Sequence, residues 1–220
     1  MRSSSARRSG SGPARRSGAE TTRSAVPPVA AKRIRGIRML LLDVDGVLTD
    51  GGIYYSDSGA EMKRFDIHDG MGIDLLQRAG IEVGILTGRV SGIVERRARE
   101  LGIKTVKQGF YDKSAGLDAI LRERGLRESE VAYVGDDVQD LAVMRRVGWS
   151  ACPSDAMKDV KAEASYVCAN PGGRGAVREA AEAILRALDV KARILAEITR
   201  PGVKPSPDRG PSPPPRAPER

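Results

Sequence analysis

Cysteine, histidine and aromatic residues are scarce: the 220 residues hold two Cys, one His and one Trp, and aromatics make up 4%. Cys152 and Cys168 are too few for a disulfide framework, and no C-x-x-C pair or Cys/His cluster forms a zinc pattern. A reducing compartment, the cytoplasm, is therefore expected. No apolar run approaches the roughly 20 residues needed to span a bilayer. The N-terminal stretch lacks the apolar segment of a secretory signal. Its Arg and Ser richness resembles an organelle transit peptide, although an extended start is the plainer reading.

Acidic residues are missing mainly from the ends. The formal net charge of +8 suggests a nucleic-acid partner until it is mapped, because residues 1–35 carry nine basic side chains and one acid, and residues 200–220 carry five and two. Residues 36–199 are left with a net −3, so the basic character belongs to the ends and no nucleic acid is expected on the folded part. Of the 13 prolines, 11 lie in those same stretches. Residues 1–35 and 200–220 are expected to be disordered tails, and 36–199 a single domain large enough to bury its own core.

From Arg38 onward, short apolar runs alternate with helical segments. Met39–Val44, Glu82–Leu86 and Val131–Val134 read as strands buried on both faces, with Thr105–Val106, Trp149–Cys152 and Tyr166–Cys168 as further strands. Helices are expected over 71–79, 93–101, 114–124 and 141–146, and over a last segment from Val177 that keeps its period as far as Thr199. Ile53–Tyr55 and Glu61–Asp66, around Ser56-Asp57-Ser58-Gly59, read as a hairpin. This order predicts a doubly wound (Rossmann-like) α/β fold: a parallel sheet with helices on both faces and a ligand site beyond the carboxyl ends of its strands. Asp43 and Asp45, Thr87, and Asp136 with Asp137 all stand at such ends. Two carboxylates in D-x-D-G form after a MLLL run repel each other unless a cation joins them, and all-oxygen ligands suit Mg²⁺.

DVDGVLTD, ILTGR, Lys113 and GDDVQD, in this order, resemble the four motifs of the haloacid dehalogenase superfamily of phosphatases. DVDGVLTDGGIYY, FDIHDGMGID, YVGDDVQDL and GGRGAVRE further resemble its 3-deoxy-D-manno-octulosonate 8-phosphate (KDO 8-phosphate) phosphatase family. The resemblance implies a Mg²⁺-dependent phosphatase in lipopolysaccharide precursor synthesis. In it Asp43 is the nucleophile that forms an aspartyl-phosphate, and Asp45 is the general acid and base. The metal ligands are Asp43, Asp136 and the Asp45 backbone carbonyl. Thr87, Gly88 and Lys113 bind phosphate, Lys113 also keeping Asp43 ionised, while Asp137 and Asp140 orient metal-bound water or Lys113.

Plainer alternatives stand beside these roles. Thr87-Gly88 is also an ordinary strand-to-helix turn, and Lys113 a solvated residue opening a helix. Arg89 is a candidate for gripping a substrate carboxylate, or else a surface arginine at a helix start. Arg174 is a candidate anion ligand, or else part of a turn and cap. His68 is read as a structural residue or one in the substrate's neighbourhood.

Only 41 residues separate Asp45 from Thr87, and 21 separate Lys113 from Gly135, which leaves no room for a cap domain. Capless relatives cover the site with a neighbouring subunit, so a homotetramer is expected, with the hairpin and its Tyr54 and Tyr55 projecting into the neighbour. A phosphatase for another keto-acid sugar phosphate, such as a nonulosonate 9-phosphate, and a non-catalytic oligomerisation module are the alternatives.

Overall fold

Met39–Leu42 (β1) lies at the centre of a six-stranded parallel sheet, and its four apolar side chains are all buried. They alternate as a strand requires. Leu40 and Leu42 enter one apolar core, and Met39 and Leu41 enter the other, across the sheet. The computed structural model describes residues 33–202; the expectations for 1–32 and 203–220 lie outside them.

The other strands are β4 (Glu82–Leu86), β5 (Thr105–Lys107), β6 (Val131–Val134), β7 (Trp149–Cys152) and β8 (Tyr166–Val167), in the order β5-β4-β1-β6-β7-β8. β1 pairs in full register with both β4 and β6, from Met39 opposite Glu82 and Val131 to Leu42 opposite Ile85 and Val134. The order reverses on either side of β1, which opens a crevice at the carboxyl ends of the strands. The first core is covered by α1 (Ile67–Arg78), α2 (Gly92–Glu100), α6 (Ala176–Ala187) and α7 (Lys191–Ile198). The second is covered by α3 (Lys113–Arg124), α4 (Leu141–Met144) and α5 (Lys158–Glu163). Between β1 and α1 the chain forms only an antiparallel pair, β2 (Tyr54–Tyr55) and β3 (Glu61–Met62), with Tyr54 opposite Met62.

The structure differs from the sequence expectation in several places, among them the second hairpin strand, which ends at Met62 rather than Asp66. α1 begins at Ile67, four residues before the expected Met71, because the Asp66 side chain accepts the His68 N–H at 2.7 Å and caps the helix; Gly70 and Gly72, poor helix formers, obscured that turn. The C-terminal helix does not run through to Thr199. Asp189 adopts a left-handed φ of 56°, and Val190 donates back to the Leu185 carbonyl at 3.1 Å, an αL stop that separates α6 from α7. α5 was not expected; it is six residues long and anchored by buried Val160. The packed chain also starts before residue 36, since Ile34 is fully buried in the first core.

Candidate active site

Three strands deliver their polar ends to the crevice. Asp43 follows β1, Thr87 follows β4 and Asp136 follows β6; Asp43 and Thr87 are almost fully buried. From the other side comes Lys113, the first residue of α3, whose N-terminus is capped by Asp112 accepting the Ser114 and Ala115 N–H groups. The Lys113 side chain is 3% exposed, and its Nζ lies 2.7 Å from Asp43 Oδ2 and 2.5 Å from Asp140 Oδ1. Burial works against the charge of Lys113, but the two carboxylates outweigh it and hold its pKa above the usual lysine value.

Asp140 serves protein donors with both oxygens. Oδ1 accepts from Lys113 and from the Tyr133 hydroxyl at 2.5 Å, and Oδ2 accepts the N–H groups of Asp136 at 2.9 Å and Asp137 at 3.1 Å. It is therefore the brace that aims Lys113 at Asp43 and curls the 135–140 turn. Asp137, which GDDVQD makes look equivalent, is exposed and caps that turn by accepting the Val138 N–H.

Asp43, Asp136 and Asp140 lie close enough for one oxygen of each to fall within 4.8 Å of the others. Asp43 Oδ1 and Asp136 Oδ1 are buried without a hydrogen-bond partner among the described residues. Two bare carboxylate oxygens beside each other are costly unless a cation takes them. Because Asp140 is saturated by protein donors, a hard divalent ion fits between Asp43 and Asp136. Without it, burial pushes Asp43 up to about 6, with Asp140 adding and Lys113 opposing. Asp136 is pushed up to about 8 by burial and then by the charges of Asp140 and Asp43. The charge of Lys113 favours ionised Asp43, as its expected role requires, and works against burial.

Gly46, the glycine of D-x-D-G, has a φ of +83°, and a Cβ there would lie 2.1 Å from Asp136 Oδ2. The floor of the nucleophile loop is closed by the Gly-rich turn before α6: a Cβ on Gly172 would stand 1.9 Å from the Gly46 carbonyl oxygen, and Gly173 N–H donates to the Val47 carbonyl at 2.9 Å. That turn is held by buried Asp69 of α1, whose carboxylate accepts the Gly175 N–H at 3.2 Å and the Arg178 N–H at 2.8 Å. Asp69 thereby supplies the N-terminal cap that Gly175 cannot.

Asp45 faces a second group of charges. Lys63, just beyond β3, forms an ion pair with Asp45 Oδ1 and lies 3.5 Å from Glu61 Oε1. Arg89 Nη2 lies 3.0 Å from the same Glu61 oxygen, and its Nε is 3.8 Å from Asp45 Oδ2. The structure thus brings Asp43, Asp45, Thr87, Gly88, Arg89, Lys113, Asp136 and Asp140 to one end of the sheet. It does not join Arg174 or His68 to the carboxylates. Arg174 is exposed and acts on Asp50 and Tyr54 at the hairpin root, while the His68 side chain is 79% exposed beside Asp66. Lys63, Glu61, Tyr133 and Asp69 were missed in the sequence. A lysine in a charged strand end and a tyrosine in a buried strand carry no signal of their own.

A family model described as haloacid dehalogenase-like hydrolase matches residues 71–148. The 3-deoxy-D-manno-octulosonate 8-phosphate phosphatase of Salmonella typhimurium is 43% identical over 162 residues, which cover 74% of this chain and 86% of the relative. The solved structure of the phosphatase of that name from Yersinia pestis aligns with a TM-score of 0.72 at 42% identity, covering 74% of this chain and 88% of that one. That from Moraxella catarrhalis, in complex with magnesium, phosphate and KDO, aligns with a TM-score of 0.75 at 37% identity, covering 77% and 97%. Identity of this extent along nearly the whole of each relative, on the same α/β scaffold, means that the chain belongs to the 3-deoxy-D-manno-octulosonate 8-phosphate phosphatase family of haloacid dehalogenase-like hydrolases.

Proposed function

We propose that this protein is a Mg²⁺-dependent phosphomonoesterase that hydrolyses 3-deoxy-D-manno-octulosonate 8-phosphate to the free sugar acid and phosphate, in lipopolysaccharide precursor synthesis. The observation that carries the reading is the pair of partnerless oxygens on Asp43 and Asp136 beside a lysine aimed at Asp43. Asp43, Asp136 and the Asp45 carbonyl hold Mg²⁺, whose charge offsets the repulsion between an anionic nucleophile and an anionic phosphoryl group.

Asp43 attacks phosphorus and forms an aspartyl-phosphate while the phosphorus–oxygen bond to the sugar breaks. Asp45 gives its proton to the departing oxygen. A water then attacks phosphorus as Asp45 takes its proton back, and the bond to Asp43 breaks, releasing phosphate. Lys113, with Thr87 and the Gly88 N–H, binds the phosphoryl oxygens. Arg89 takes the substrate's carboxylate. Its guanidinium already holds Glu61 in the free protein, so the site is prepared for a carboxylate at that place. Arg174 assists from the hairpin root. The hairpin supports assembly as a homotetramer, since exposed Ile53, Tyr55 and Met62 are unusual on a two-stranded projection beside an uncapped site. Free thiols at Cys152 and Cys168, and no helix among the described residues long and apolar enough to cross a membrane, agree with a cytoplasmic location.

Phosphate release from a panel of sugar phosphates, with and without Mg²⁺, tests the reading. KDO 8-phosphate is expected to be turned over fastest, a nonulosonate 9-phosphate more slowly, and neither in chelator. Asp43→Asn is expected to lose at least about 10³-fold in kcat with its melting curve retained. Turnover by that variant near the wild-type rate refutes the aspartyl-phosphate mechanism, and no hydrolysis of any phosphate ester by the wild type favours a non-catalytic role.

A further inference from the structure

The Lys63 side chain is 2% exposed, as hidden from water as Lys113, yet it stands outside every motif that names the site. A buried ammonium persists only where carboxylates compensate it. Glu61, two residues away on the same hairpin, would suffice to anchor it. The shorter contact instead crosses to Asp45, eighteen residues earlier in the chain, and reaches one oxygen of that carboxylate, Oδ1. The other oxygen, Oδ2, has Arg89 Nε at 3.8 Å, beyond hydrogen-bond reach, and the Asp45 side chain is 28% exposed. One oxygen is thus pinned from the protein side and the other left open at the mouth. Glu61 shares its Oε1 between Lys63 and Arg89, so two carboxylates and two cations close a ring that ties the hairpin to the strand ends.

The geometry points to Lys63 as a positioning residue for catalysis: it fixes the Asp45 carboxylate so that Oδ2 alone is presented to the sugar oxygen that leaves phosphorus. This rests on the reading of Asp45 as proton donor. Without Lys63 the carboxylate is free to turn about its side-chain torsions, and the open oxygen loses the alignment that proton transfer within hydrogen-bond distance requires. The hairpin then has a part inside the active site besides whatever its exposed face contacts. Glu61 has a matching part, because it holds Lys63 and Arg89 at a common spacing.

Leaving-group dependence separates this role from a merely structural one. An alkyl ester needs a proton on its departing oxygen, whereas p-nitrophenyl phosphate releases a stable phenolate and needs little help. Lys63→Met and Lys63→Gln, assayed as full-length protein with Mg²⁺, are expected to lower the ratio of kcat on KDO 8-phosphate to kcat on p-nitrophenyl phosphate by about 10- to 100-fold, a part of the roughly 10²- to 10⁴-fold that a general acid contributes. Lys63→Arg, which restores the charge, is expected to recover most of that ratio. Lys63→Gln stays polar but is uncharged and one atom shorter, so it cannot hold Asp45 Oδ1 as Lys63 does, and it gives the answer even if Lys63→Met fails to fold. An unchanged ratio in a folded variant, whether both activities fall together or neither falls, overturns the assignment. Should the wild type prefer a different alkyl phosphate, the substrate reading fails while the same ratio, taken on that ester, still decides the role of Lys63.

Discussion

Loading the site with Mg²⁺ should expel a proton. In the metal-free protein, burial raises Asp136 to about 8 and Asp43 to about 6, so at pH 7 Asp136 carries about 0.9 of a proton and Asp43 about 0.1. A cation bound by both requires both ionised, so about one proton leaves per Mg²⁺ at pH 7, and about 0.1 at pH 9. The apparent affinity should accordingly tighten about tenfold, or about 1.4 kcal/mol, between pH 7 and pH 9 and then level off. The sign carries over to stability. Both groups lie above their ordinary values in the folded chain, so their contribution to the stability of the chelated protein is greatest at low pH and is lost as pH rises from about 4, that of Asp43 by about 6 and that of Asp136 by about 8. Mg²⁺ opposes the loss, since it binds the ionised, folded form. Calorimetric titration at pH 7 in two buffers of different ionisation enthalpy reads the proton count directly. Heats that do not depend on the buffer would refute the argument, as would an affinity that does not change with pH.

Two other perturbations follow from the packing. Gly46→Ala places a methyl 2.1 Å from Asp136 Oδ2 on a left-handed backbone, so Mg²⁺ affinity should fall at least about tenfold along with activity; titration of the variant with Mg²⁺ checks this, and an unaltered affinity contradicts the close approach. Asp69, 1% exposed, is raised to about 6 by burial, against the Arg178 and Gly175 N–H groups and with Asp66 adding and His68 opposing. Wild-type stability relative to Asp69→Asn should therefore decline by about 3 kcal/mol as pH rises from about 4 to about 6 and stay level above. Urea unfolding of both proteins across that range measures it, and a constant difference refutes it.

The sheet was legible because its strands are short apolar runs that end in Asp, Thr or Gly, and a strand buried on both faces has no other composition available to it. The carboxylates at those ends were legible for the same reason, as Asp43 and Asp136 interrupt such runs. What escaped depends on contacts between distant segments. Asp137 and Asp140 occupy one short motif, and only the tight turn decides that Asp140 points inward to Lys113 while Asp137 stays in solvent. Lys63 and Arg64 are adjacent and chemically alike. The path of the chain beyond β3 sends Lys63 to Asp45 and Arg64 to the Gly173 carbonyl at 2.7 Å, a choice set by contacts with distant segments that no window of sequence contains. The break at Asp189 was hidden because the apolar period on either side of it continues almost in phase.

The contact of Gly172 and Gly173 with the nucleophile loop sets an order on chain synthesis. Asp43 and Asp45 emerge early, yet the strand that carries them, β1, pairs on one side with β6 from the second half of the domain, and the loop that follows it rests on a turn made later still. A nascent chain that stops before Gly172 has every carboxylate of the site and no floor beneath them. Such non-local pairing is slow to form and leaves apolar strand edges open meanwhile. Chemistry is therefore withheld until almost the whole domain has been made, so an incomplete chain has no working phosphatase to release.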